Sequence, residues 1–264
     1  MNDTKKMEEC NMSSGKTSLG LNQWILSDKP VMNDFNEDNR IIDCELDDRV
    51  PNRLFAPACA INDVPIADLQ STIDSLPKYL NRSITINTLA GTTTTPIIIS
   101  NFSGPGTLVI NGGAGLHPTT HSIPRIEILS CSNRSIELHR FDITTDNSTA
   151  IIANGFIGIL WCSGHRIVGG VSSTTANIGI SAANINYGIF SNCLISNKHH
   201  VLWVNGSSFC EAAGFSGTGN NVLYRAFHGG TIHRRDVGTI TGSVVTSVSA
   251  GGIVVNPSGA ILGT

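Results

Sequence analysis

Apolar residues recur at helical spacing in two stretches near the start of the chain and at strand spacing almost everywhere after residue 80. Phe35, Ile42, Leu46 and Val50 share one side of a helix, and Asp34 with Glu37 three residues on forms a capping box. The other side carries Glu37, Arg40, Asp47 and Asp48. A helix this short has to bury its stripe against its own β domain, sister copies or a docking protein. A second helix is predicted from Ile66, Leu69, Ile73, Leu76 and Leu80, with Pro65 at a first-turn position and Pro77 ending it. Beyond it the pattern predicts short strands over 83–88, 96–100, 107–110, 125–129 and 136–143, separated by Gly, Asn, Ser and Thr turns.

Residues 150–235 repeat themselves. Ala153, Asn154, Gly158, Ile159 and Cys162 match Ala183, Asn184, Gly188, Ile189 and Cys193, with a shorter echo in Val204, Asn205 and Cys210. The asparagines step by 30 and then 21 residues, and the longer step contains a loop-like insertion at 169–175. A period of roughly 21–25 residues with several strands per repeat predicts a β-solenoid, in which each coil covers the apolar side chains of the last. Equivalent residues then stack into ladders, expected here for Cys131, Cys162, Cys193 and Cys210, and for Asn154, Asn184 and Asn205 at tight turns. Leucine-rich repeats share the period, but their leucine-spaced consensus is missing.

Composition supports an all-β reading. Hydrophobic residues make up 40% of the 264 and charged residues only 14%, too apolar for a disordered chain and too lightly charged for a helical bundle. The net charge of −3, with no basic patch beyond His233, Arg234 and Arg235, argues against nucleic-acid binding. No apolar run of transmembrane length is present, and Lys5 and Lys6 are not followed by a signal-peptide core. The expectation is a protein made in the cytoplasm, with no membrane insertion, that leaves by lysis or as part of a particle. The seven cysteines form an odd set without a CxxC pair, which points to reduced thiols rather than a disulfide framework or metal site.

The layout resembles phage tailspikes and other pectate-lyase-like β-helix proteins. In these, a helix of the form of residues 67–77 caps the N-terminal end of the solenoid, and Ile84-Thr85-Ile86 and residues 96–111 stand where the first coils would be. Leu21, Asn22, Gln23 and Trp24, then Asp28-Lys29-Pro30, Asp34–Asn39 and Ile42-Asp43, resemble the opening of tail and baseplate proteins of phages of Gram-positive bacteria. The resemblance implies a right-handed parallel β-helix with short N-terminal helices. It implies a flexible start (1–18), a tail-docking segment (19–56), the capping helix with the β-helix (57–236), and a C-terminal β tail or cap (237–264). Docking is expected through Leu21, Trp24, Phe35, Ile42 and Leu46. A structural, non-enzymatic tail fibre or spike is implied, homotrimeric, attached to other tail or baseplate proteins and located in a virion or phage-tail-like particle, with a purely architectural baseplate subunit as the alternative. Its loops at 112–124 and 169–176 are the expected contacts with a host surface glycan or protein.

Glycan cleavage by the same fold requires two carboxylates about 5–9.5 Å apart. Between residues 97 and 235 the acids are Glu127, Glu137, Asp142, Asp146 and Glu211, and Glu137 with Asp142 is the candidate catalytic pair. Their plainer reading is exposed strand positions. Elimination would need an acidic cation cluster, and no such cluster appears. No cofactor is expected. His117, His121, His199, His200, His228 and His233 lack metal-ligand spacing. Trp161, Trp203 and Tyr224 are sugar-stacking candidates if their rings face solvent.

Overall fold

The computed structural model describes residues 58–170 and 174–262, together with two short strands nearer the N-terminus. The chain forms two units, Met1–Arg53 and Leu54–Thr264. In the first, Gly15–Lys16 pairs antiparallel with Asn22–Gln23. The predicted helix over 34–50 and the residues expected to dock, Leu21, Trp24, Phe35, Ile42 and Leu46, lie outside the described residues.

The second unit is a right-handed parallel β-helix of about eight turns. Its strands stack on three faces. The first face runs through Cys59–Val64, Ile84–Thr88, Thr107–Asn111, Ser135–His139, Ile159–Ser163, Tyr187–Ser191, Phe209–Ala213, Thr231–Arg234 and Ile253–Val255. The second holds the short strands His121–Ile123, Asp142–Thr144, Arg166–Val168 and Leu194–Ser196. The third holds Ile97–Ser100, Ile126–Leu129, Ile151–Asn154, Ile178–Ala183 and His200–Asn205. In the last coils, Ser216–Phe227 and Thr239–Ser249 run across the second and third faces as single strands.

A chain that must turn the same corner in every coil needs a local kink that does not consume strand pairing. Here the kink begins with a left-handed residue immediately after the third face, Asn101, Ser130, Gly155, Asn184, Gly206, His228 and Ala250, with φ between 46° and 69°, and in the last three coils a second follows, Ser207, Gly229 and Gly251. Asn and Gly tolerate this region, whereas other residues are strained in it by roughly 1 kcal/mol. Successive kinks lie 29, 25, 29, 22, 22 and 22 residues apart. This register corrects the asparagine anchors. Asn154 and Asn205 both align with Ala183, while Asn184 occupies the kink that Gly155 and Gly206 fill in neighbouring coils. A second left-handed column, Arg140, Gly164, Asn192 and Gly214, turns the first face into the second. It splits the run expected over 136–143 into two strands on different faces.

Inside, alternate residues stack coil upon coil. Ile86, Ile110, Leu138, Cys162, Phe190 and Ala212 form one buried column of the first face, and Ile97, Ile126, Ile151, Ile180 and Leu202 one of the third. Backbones pack tightly where coils re-enter the first face. A Cβ on Gly158 would lie 2.1 Å from the Asn133 carbonyl oxygen and 2.7 Å from that of Arg134. Gly158→Ala is therefore expected to cost about 1–3 kcal/mol, measured as a lower urea midpoint at unchanged slope.

The N-terminal end of this core is sealed by helix α1 (Leu69–Ser75), entered through a 3₁₀ turn at Ile66–Asp68. Ile66, Leu69, Ile73, Leu76 and Leu80 are all buried, although only Leu69 and Ile73 lie in α1. The Gln70 amide donates to the Ile98 carbonyl (3.1 Å) and accepts from the Ile98 N–H (2.6 Å), so one side chain stands in for the missing next strand. At the other end the solenoid continues past residue 236. Residues 239–255 form its last coil, and Asn256–Leu262 folds back to pair Ile261 antiparallel with Val255.

Candidate functional site

Side chains at odd positions of the first-face strands point outward and stack in register. One outer column reads Thr107, Ser135, Ile159, Tyr187, Phe209; the next reads Val109, Glu137, Trp161, Ile189, Glu211. Ile159 and Trp161 are each 41% exposed and Phe209 is 37% exposed, so three successive coils carry an apolar, aromatic strip to solvent. Tyr187 and Phe209 pack ring to ring at 5.6 Å. An open groove of about 560 Å³ runs beside the strip, lined by Arg134, Ser135, Glu137, Ile159, Trp161 and Ile189 among others.

Polar groups flank the strip. Asn111 donates to Asn87 (2.8 Å), and Asn87 to Asn62 (2.7 Å), a ladder of stacked amides. The column continues into His139, whose Nδ1 lies 2.7 Å from Ser163 Oγ and whose Nε2 lies 3.6 Å from Glu137. Burial lowers the His139 pKa, and Glu137 opposes that shift. Trp161 meets the His139 ring edge-on at 5.9 Å, and its Nε1 donates to Ser191 Oγ. At the far end, Arg235 grips Glu211 through two bonds of 2.8 and 2.5 Å and holds that carboxyl below its ordinary pKa.

The candidate pair Glu137 and Asp142 is not brought together. Glu137 points outward from the first face, whereas Asp142 begins the second, beyond the kink at Arg140, buried and bonded to Arg166 at 2.6 Å. Glu137 and Glu211 share a column three coils apart, about 14 Å at ~4.8 Å per strand, outside the range for glycoside hydrolysis. Trp161 faces solvent and Trp203 lies half-buried on the third face, but Tyr224 is interior, stacked on Phe215 beneath Arg234. Ile159, Tyr187, Ile189 and Phe209 escaped sequence reasoning, because their common outward direction depends on the strand register.

Of the five solenoid cysteines Cys59 is half-buried, and the other four, Cys131, Cys162, Cys193 and Cys210, are buried free thiols that do not stack on one another. Cys162 and Cys210 belong to neighbouring interior columns of the first face, where Cys162 pairs with Phe190 and Cys210 with Gly188. Cys131 and Cys193 each follow a left-handed residue at a corner, Cys131 after Ser130 and Cys193 after Asn192. Burial raises all four, Cys193 to about 12, so they stay protonated. Among the described residues no three His, Cys, Asp or Glu side chains gather as a metal site, and no helix is long and apolar enough to cross a membrane. No family model matches the chain, and no curated protein or solved structure matches it.

Proposed function

We propose that the chain is a structural tail-fibre or tail-spike component of a phage or phage-tail-like particle. It attaches to the baseplate through residues 19–56, assembles as a homotrimer and contacts the host cell surface with its β-helix. The observation that supports this most is the outward strip of exposed Ile159, Trp161 and Phe209 with half-buried Tyr187 and Ile189 between them, on a rigid face beside an open groove. Aromatic faces flanked by amides, hydroxyls and a carboxylate suit a surface glycan or a protein loop. Binding is favoured over cleavage because the groove holds one carboxylate, Glu137, and the next in its column is too far away to act with it. The loop over 112–120 contributes less, since His117 is tied to the Asn192 carbonyl (2.8 Å) and its N–H to Gly164.

The deciding experiment is electron microscopy of particles released by the producing bacterium, with gold-labelled antibody to this chain. Label at the tail tip is expected, and particles free of label would sink the reading. On the same reading, replacing both Trp161 and Phe209 with Ala is expected to reduce adsorption of the purified chain to host cells at least about tenfold. Adsorption at the wild-type level would move the contact off the first face.

A further inference from the structure

The third face carries a second feature, unrelated to the strip. One outer column there reads Ile98, Glu127, Ile152, Ser181, Trp203, Arg225, Ser247, and Phe227 follows two residues after Arg225 on the same side. The Arg225 guanidinium carbon sits 4.6 Å over the Trp203 ring and 6.0 Å from the Phe227 ring. Its Nη1 donates to His200 Nε2 at 3.0 Å, and its Nε, buried, has no partner among the described residues.

A guanidinium held this way normally meets a carboxylate. Here it meets a ring nitrogen that must be unprotonated to accept. His200 is almost fully buried, and burial, with His199 and Arg225 beside it, lowers its pKa to about 4. It therefore offers no negative or positive charge at neutral pH. Between residues 198 and 264 the acids are Glu211, on the first face and taken by Arg235, and Asp236, which accepts the Gly214 N–H with both oxygens. Glu127 shares the column but stands four coils away, about 19 Å at ~4.8 Å per strand, and is paired with Arg125 at 2.5 Å. Among the described residues Arg225 is thus a fixed cation on an aromatic plate without a counter-ion.

We propose that Trp203, Arg225 and Phe227 form a binding site for an anionic polymer, its oxyanion on Arg225 and its adjoining carbon skeleton against the two rings. Carboxylate and phosphodiester groups share the required chemistry: two oxygens for a forked donor, beside CH groups that stack on an aromatic face. The site needs only the solenoid and is independent of the tail assignment.

Calorimetric titration of the full chain with polygalacturonate, poly(glycerol phosphate) and neutral dextran tests it. Binding of at least one anionic polymer, weakened by salt and absent with dextran, is expected, and which polymer binds identifies the group. Arg225→Gln is expected to weaken binding at least tenfold, and Arg225→Lys, which keeps the charge but loses the fork, by less. Should Arg225→Gln fail to fold, Ser247→Glu tests the same point from the next coil by supplying an internal counter-ion, and is expected to abolish binding. No binding of either anionic polymer, equal binding of dextran, or wild-type affinity in the folded variants would each overturn the site.

Discussion

Acidification from pH 7 to pH 4 is expected to remove about 3 kcal/mol of stability through His165 alone. His165 is fully buried between coils, stacked on Phe141 at 6.1 Å. Its Nδ1 accepts from the Phe141 N–H (3.1 Å) and its Nε2 donates to the Leu138 carbonyl (3.1 Å), an arrangement that requires the neutral ring. Burial lowers its pKa from 6.5 to about 3. Below pH 6.5 the unfolded chain takes up a proton that the folded chain refuses, so stability falls as pH drops, until the folded pKa is reached. His200, lowered to about 4, adds a loss of the same sign and of similar size, about 3 kcal/mol by pH 4. Lys198, almost fully buried and bonded to the Thr145 carbonyl and Asn177 Oδ1, is lowered to about 8, so stability also rises between pH 8 and the ordinary lysine pKa. Urea unfolding at pH 9, 7, 5 and 4 measures the slope. His165→Phe is expected to flatten the acid limb while lowering stability at pH 7, because the Phe141 N–H loses its acceptor. An acid limb unchanged in His165→Phe would remove His165 as its cause.

The solenoid was legible because its coils share one pattern: short alternating runs, turn residues at their ends, and partial repeats of Asn, Gly and Cys between 150 and 235. What stayed hidden was the register. Asn154-Gly155 and Asn205-Gly206 place glycine on the left-handed corner, whereas Asn184 takes that corner itself, so anchoring on asparagine slipped one coil by a residue. Because strand side chains alternate between faces, a slip of one residue exchanges inside for outside. That is why the inward Tyr224 and the outward Trp161 were indistinguishable beforehand, and why Ile159, Tyr187 and Phe209 did not stand out as one surface. Asn184 still donates its side-chain amide to Asn154 Oδ1 at 3.3 Å, while the longer amide ladder, Asn62, Asn87 and Asn111, falls outside the repeating segment. The split of 136–143 has a similar origin. Arg140, a residue with no turn preference, carries φ 61° because the corner column passes through it. The pair of buried Asp142 with half-buried Arg166 was equally invisible, since its partners are 24 residues apart and meet only when one coil lies on the next.

Placing lysines at Val244 and Val245 is expected to convert the proposed trimer to single chains, a fall from 3 × 28.0 = 84 kDa to 28.0 kDa in light scattering. The two ends of the solenoid are finished differently. At the N-terminal end α1 covers the core and Gln70 occupies the backbone groups of Ile98. At the C-terminal end only Ile253–Val255 is covered, by the returning segment at Ile261. Thr239–Ser249 pairs on one side with Ser216–Phe227 and, among the described residues, with no strand on the other. This eleven-residue edge lacks charge and proline protection: residues 237–264 contain no Asp, Glu, Lys or Arg, and their single proline, Pro257, lies beyond the strand. Val244 and Val245 are 42% and 48% exposed as the outermost members of the columns above Val222 and Leu223, so lysines there keep their charge in solvent, and the melting temperature of each variant is measured beside its mass. A wild-type mass of one chain would remove the trimer from the proposed function. A variant that stayed trimeric would place the contact between copies elsewhere, on the first face or in residues 1–57.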